Sequence, residues 1–302
     1  MLPLVPASPP PATDPLAPLL DLPGVRAGVD RARVACEELR WHEAFRRRWR
    51  EVRAEADVRA ARASAAVDGA RVPLDLLRHV ATGGTGDGGD GEDGATGRSA
   101  AADRLLATGA LRATVLAATW RPDLGGRAEP VVPPLGQVLA RLHAAAGAGW
   151  LPDAALGRVR VAGEPARDLT GLGQAPPGPE VAERLALLTR TVGATRAPAL
   201  VVAAVVHGEV LALRPFVAGN GVVARALARM LLSGRGLDPT GAVVPDAAWA
   251  AAPNPYLAAA ARFATGTPDG VATWVASAAD AVVAGAAEGR AVADAVLAGR
   301  LG

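Results

Sequence analysis

From position 199 the chain runs Ala-Leu-Val-Val-Ala-Ala-Val-Val-His-Gly-Glu-Val-Leu-Ala-Leu, apolar at nearly every step. Val201, Val202, Val205 and Val206 favour a strand while the length of the run favours a buried helix, so periodicity leaves both open. Residues 222–232 are clearer. Val223, Leu227, Met230 and Leu231 share one helical face, and Val222, Arg225 and Arg229 share another, the amphipathic pattern of a helix packed on a core. Residues 26–67 contain no proline and are dominated by Ala, Leu, Arg and Glu, which predicts two helices. Helical stretches follow over 100–119, 135–146, 180–191, 246–262 and 270–297, the last opened by Pro268-Asp269-Gly270. Strand signals shrink to one short alternating segment, Arg158-Val-Arg-Val-Ala. The fold class is mainly α.

Breaks in this pattern divide the chain. Residues 1–20 carry too many prolines for a helix or a paired strand and read as a disordered, extended arm. A helical region, 21–81, follows. The stretch 82–99 contains TGGTGDGGDGEDGATGR and reads as a Gly/Asp-rich linker, with a main helical domain over 100–302. The Gly-Asp alternation of the linker lacks the stacked copies and apolar anchors of calcium-binding repeats, so calcium is not expected there.

Composition narrows the function classes. The basic residues are all arginine, and 32 of them against 30 acidic residues leave a net charge of only +2, so the high isoelectric point does not imply nucleic acid. Arg46, Arg47, Arg48 and Arg50 lie among Glu43, Glu51 and Glu55 at helical spacing and read as a solvated face. The run from Ala199 stops at His207, short of the roughly 20 apolar residues a membrane span needs. Cys36, the one cysteine, lacks an activating neighbour and reads as a buried, inert thiol. The N-terminus shows no basic n-region or uninterrupted apolar stretch, so the expected location is the cytoplasm, with neither membrane nor nucleic acid as partner.

Candidate chemistry gathers at Gly219-Asn220-Gly221, directly before the amphipathic helix. The first turn of a helix has unpaired N–H groups and the positive end of its dipole, and small residues let an anion approach them. Asn220 can add a donor and Arg225 a charge-assisted fork. The same three residues are also compatible with a plain turn and helix cap.

The wider segment, HGEVLALRPFVAGNGVVAR over 207–225, resembles the signature of the Fic (Fido-domain) family, H-P-F-x-[D/E]-G-N-G-R-x-x-R, with Pro215, Phe216, Gly219, Asn220, Gly221 and Arg225 in register. Arg158-Val-Arg-Val together with Ala175-Pro176-Pro177-Gly178-Pro179-Glu180 is similar to the family's flap, a hairpin that aligns target peptides by strand addition. Ser64-Ala-Ala-Val-Asp68-Gly69 resembles its inhibitory motif, [S/T]-x-x-x-E-[G/N], with aspartate for glutamate. The resemblance implies a Fic-type helical bundle with a short β-hairpin flap, a phosphate cradle at Gly219, Asn220, Gly221 and Arg225, and an inhibitory pairing of Asp68 with Arg225. A competing reading makes Asp68-Gly69 only a helix terminus.

Members of the family transfer a nucleoside monophosphate, usually AMP from ATP, to a target hydroxyl, with the motif histidine as base and the acidic residue on Mg²⁺. This chain departs at three positions. Arg214 stands in place of the histidine, and a guanidinium with a pKa above about 12 cannot take a proton near neutrality. Ala218 replaces the acidic residue and offers a hard cation no oxygen. Val222 replaces the first motif arginine. His207, on a strongly apolar run, reads as a core histidine, Phe216 as a core anchor, and His79 and His143 lack a ligand pattern, so neither zinc nor Mg²⁺ is expected. Three functions remain: a catalytically impaired Fic-domain protein that binds ATP, another nucleotide or a phosphate-bearing ligand, with a protein target at Pro176 and Pro177 of the flap; an active nucleotidyltransferase using Arg214 and Arg225 as an altered site; or a scaffold without a small ligand.

Overall fold

The computed structural model describes residues 14–84, 95–126 and 130–301. Within them the chain forms eleven helices: α1 Val25–Arg40, α2 Trp49–Val67, α3 Leu74–Ala81, α4 Ala95–Ala118, α5 Leu135–Gly147, α6 Gly178–Ala194, α7 Ala199–Leu213, α8 Asn220–Gly234, α9 Pro245–Ala251, α10 Pro253–Ala264 and α11 Pro268–Leu297.

The ambiguous run at 199 is helix α7. Its valines are compatible with a helix because the element is enclosed: Leu200 to Gly208 and Val210 to Leu213 are all buried, and a helix apolar all round belongs in a core. It packs along α8, which in turn meets α2, α4 and α5. Burial on every side of α8 departs from the one-sided pattern expected from its sequence: every residue from Asn220 to Ser233 is buried, including Arg225 and Arg229. Helix α11 is long and apolar enough to cross a bilayer by composition, but it packs against α1, α2, α7, α9 and α10, and its Trp274 indole N–H donates to the Ala204 carbonyl at 2.7 Å.

Start and stop chemistry explains most boundaries. Helix α11 begins with Pro268 in its first turn and the Thr267 hydroxyl accepting from Gly270 N at 3.2 Å. The helical stretch expected over 246–262 is split at Ala252 because Pro253 cannot continue α9 and opens α10 instead.

Three expectations need correction. The Pro-rich arm is anchored where it is described: Asp14 accepts from the Thr195 hydroxyl and Arg196 N, both at 2.6 Å, Ala17–Asp21 forms a 3-10 turn, and Leu16 is buried. Residues 1–13 lie outside the described part. The linker is shorter than expected, since α4 already begins at Ala95; residues 85–94, which hold most of the Gly-Asp alternation, are also outside the described part.

The third correction concerns the flap. Among the described residues there is no strand, and residues 158–177 form an irregular loop pinned to the motif. The Arg160 peptide N–H goes to the Pro215 carbonyl and that of Arg167 to Val217, both at 2.8 Å. Between them the chain turns back, with the Glu164 carboxylate accepting from Val161 N at 2.8 Å and holding the Arg158 guanidinium. Three peptide N–H groups of this segment, those of Arg160, Val161 and Arg167, are spent on these contacts.

Candidate functional site at the start of helix α8

Residues 214–219 link α7 to α8. Gly219 takes the N-cap position with φ of 83°, a left-handed backbone that glycine adopts without cost. Asn220 then closes the loop on itself: its Oδ1 accepts from Phe216 N and its Nδ2 donates to Phe216 O, each at 2.9 Å. Beneath this loop His143 of α5 stacks on Phe216 with ring centroids 3.9 Å apart. Its Nδ1 accepts from Gly157 N at 2.9 Å and its Nε2 pairs with Ala218 O at 3.0 Å. The first contact requires a bare Nδ1 and the second a protonated Nε2, so the ring is neutral. Burial pushes its pKa down to about 4. His207 is likewise enclosed, 2.8 Å from the Tyr256 hydroxyl, and burial, with the Arg225 charge as a second cause, lowers its pKa well below the usual value.

The helix entry is filled by a residue the sequence did not single out. Asp168 receives the Asn220 peptide N–H on one carboxylate oxygen and the Asn220 Nδ2 on the other, both at 2.8 Å. An anion therefore sits at the positive end of α8, as helix termini favour, and it belongs to the chain itself. Burial raises the Asp168 pKa, the Asn220 donors work against that rise, and the charge of Asp68 adds to it.

Asp68 approaches the same turn from the end of α2. Its carboxylate lies 2.8 Å from the Arg225 guanidinium, while Arg225 Nε donates to the Ser64 hydroxyl at 2.7 Å and its Nη2 to the Ser64 carbonyl at 2.9 Å. Ser64, Asp68 and Arg225 are thus brought together, and Gly69, with φ of 99°, follows the helix end. A side chain at Gly221 would intrude on the pair: a Cβ there would stand 2.7 Å from Asp68 Oδ1 and 3.0 Å from Arg225 Nη1. Arg225 is wholly buried. Burial opposes its charge, but Asp68, Tyr256 and Asp246 outweigh that and raise its pKa. One turn further on, Arg229 meets Asp57 of α2 at 3.1 Å, and Asp57 also holds Arg121. The polar face read from the sequence of α8 is a buried seam of ion pairs with α2.

Arg214 lies on the other side. It ends α7 with φ of 44°, a left-handed conformation costly for a residue with a Cβ. Its Nη1 donates to the carbonyls of Leu169 at 3.2 Å and Gly173 at 2.8 Å. The guanidinium lines a cavity of about 570 Å³ together with Arg160, Pro176 and Pro177. Arg214 and the flap prolines are therefore joined, whereas Arg214 and Arg225 share no partner.

Residues 137–232 match the model of the Fic/DOC family. This segment, 96 of the 302 residues, is what carries the likeness to the Fic/DOC family. Solved structures carry the likeness beyond the matched segment. A Fic family protein from Desulfovibrio desulfuricans G20 superposes with a TM-score of 0.65 at 20% identity, over 86% of this chain and 73% of its own. Fic-1 from C. elegans, residues 134–508, gives 0.64 at 16% identity over 92% and 75%. A Fic domain containing signaling protein from Bacteroides thetaiotaomicron VPI-5482 gives 0.61 at 14% identity over 88% and 98%. At these identities the shared property is the fold. No curated protein matches the chain in sequence.

Within this Fic-like segment the departures noted in the sequence take physical form. At the base position stands a guanidinium whose Nη1 is committed to carbonyls. Ala218 contributes its backbone carbonyl to His143. Val222 is buried in the core. Neither neighbouring histidine is open to a substrate hydroxyl: both His143 nitrogens are bonded, and His207 is buried in an aromatic cage of Trp249, Tyr256 and Trp274.

Proposed function

We propose that the chain is a catalytically silent, cytoplasmic Fic-domain protein whose phosphate site at the start of α8 is held shut by its own Asp168, with Asp68 restraining Arg225 beside it. The observation that carries this reading is the Asp168 carboxylate on the Asn220 peptide N–H and Nδ2. The helix entry is chemically an anion site, and a ligand phosphate gains it by displacing that carboxylate. Nucleotides suit such a site because Arg225 can offer a second contact once Asp68 withdraws. Silence follows from the missing base and cation ligand: Arg214 cannot accept a proton near neutrality, Ala218 has no side-chain oxygen, and His143 and His207 are enclosed and neutral. A protein target at the Pro176-Pro177 segment is compatible with this reading.

Two measurements test it. Incubation with labelled ATP, GTP, UTP and CTP, with and without Mg²⁺ or Mn²⁺, is expected to leave no covalent label; labelling that disappears in Arg225→Ala overturns silence. In calorimetry, Asp168→Ala is expected to tighten nucleotide binding by at least about tenfold, since hydrogen bonds to a charged group contribute about 1.5–3 kcal/mol. If neither Asp168→Ala nor Asp68→Gly binds a nucleotide at about millimolar concentration, the phosphate site fails and the scaffold reading replaces it.

A further inference from the structure

The cavity beneath the flap poses a charge problem that the helix entry does not explain. Arg160 and Arg214 are each only 3% exposed, and both line the 570 Å³ space. Arg160 donates to Arg214 O at 2.7 Å, Leu213 O at 3.0 Å and Glu164 O at 3.3 Å, and also to Pro176 O. Arg214 donates to Leu169 O and Gly173 O. Every one of these acceptors is a backbone carbonyl, and among the described residues neither arginine forms an ion pair. Two buried cations without a carboxylate between them are costly, since burial penalises charge and each repels the other.

The nearby acids are already engaged. Asp168 favours the charged form of Arg214, but both its oxygens serve Asn220. Glu164 favours that of Arg160 while its carboxylate is held by Arg158 and Val161 N. Arg214 Nε is sealed inside without a partner and Nη1 is spent on carbonyls, so the guanidinium nitrogen left for a ligand is Nη2. Such a group gives a charge-assisted hydrogen bond to a carboxylate or phosphate oxygen. The backbone is also held under strain here: Arg214 and Leu169 are the two non-glycine residues with positive φ among those described, and one bonds the other. Strain of this kind concentrates where a structure positions a functional group. A second space, about 390 Å³, shares the wall formed by Gln174 to Pro177 and Arg214, so a ligand larger than a bare ion has room.

We propose that this cavity is an oxyanion site separate from the helix entry, with Nη2 of Arg214 as its donor and Arg160 as a second positive charge, taking a carboxylate or a phosphate group of a small molecule or peptide. The substitution that removes the family's base thereby supplies a binding group. The inference stands apart from the silent-transferase reading, because it requires neither the α8 amides nor Arg225.

The test is a pair of NMR titrations of the full chain, one with inorganic phosphate and one with succinate, following the Arg214 Nε–Hε resonance and, in the same samples, the amides of Asn220 and Gly221. A saturable shift of the Arg214 resonance in either arm is expected, and the arm that responds distinguishes phosphate from carboxylate ligands. Arg214→Met removes both the donor and the charge and should weaken binding at least about tenfold. If that variant fails to fold, the wild-type resonance still decides. An Arg214 signal that moves no further than in sodium chloride of equal ionic strength overturns the proposal. Movement at Asn220 and Gly221 alone overturns it too, while leaving the α8 phosphate site standing.

Discussion

Arg225 and Arg214 are both almost completely buried at one motif, yet they are treated differently by their surroundings. Arg225 faces α2 and meets a carboxylate and a serine; Arg214 faces the flap loop and meets only carbonyls. The α2 side is electrically closed, so its arginine acts as a brace. The flap side is not, so its arginine retains a demand for negative charge. The same residue type at nearly the same burial thus serves cohesion in one place and recognition in the other, and the partner decides which.

The sharpest way to break this comparison is to truncate the brace. Arg225→Ala strands Asp68 and the Ser64 carbonyl at a buried seam and is expected to cost about 3–5 kcal/mol in denaturant unfolding, the range for breaking one side of a buried ion pair. A cost below about 1 kcal/mol would show that the α2 side is no more closed than the flap side.

A second, smaller effect belongs to the loop between the two arginines. His143 has an ordinary value of 6.5 and a folded one of about 4, so in that window the unfolded chain takes up a proton that the folded chain refuses. Its contribution to stability is whole above about pH 6.5 and is lost as pH falls toward 4. In His143→Phe, which keeps a ring against Phe216, the pH slope of unfolding stability in that window should shrink by up to about 1.4 kcal/mol per pH unit, one proton's worth. An unchanged slope would mean that the imidazole is not held neutral.

The smallest effect is expected at Arg214. Removing its guanidinium leaves the Gly173 carbonyl without a donor but also removes an uncompensated buried charge, and the two partly cancel. Arg214→Met should therefore change stability by less than about 1 kcal/mol by thermal unfolding. A loss equal to that of Arg225→Ala would make Arg214 a brace as well.

What could be read from the sequence divides along the same line. The register of Pro215, Phe216, Gly219, Asn220, Gly221 and Arg225 is local, and the spacing that marks it is preserved in the loop and first turn of α8. The Asp68–Arg225 contact was legible because both residues sit in recognisable motifs. Asp168 was not: a single acid between Arg167 and Leu169 shows no pattern, and its role depends on where a loop with no period of its own is tied down. His143 was passed over for lack of ligand spacing, since a ring stacked on a distant phenylalanine leaves no trace in its own neighbours. Asp57 lay in a helix of apparently solvated charges, and only the folded chain pairs it with Arg229. The helical nature of α7 was undecidable from valines alone because enclosure by other helices overrides their preference. The flap segment shows no strand among the described residues, and the Arg160 and Arg167 N–H groups go to the motif loop instead.

The seam between α2 and α8 also bears on how the protein comes to be built. Ser64 and Arg225 are separated by 161 positions, and Asp68 and Arg225 by 157. Contacts that close such long stretches of chain form slowly, because the entropy of closure precedes the reward. During synthesis α2 emerges with Asp68 unpaired and waits for more than half of the chain to follow before Arg225 reaches it. The motif therefore acquires its shape late, and a pause or truncation before α8 leaves Asp68 without its arginine and Asp57 with Arg121 alone.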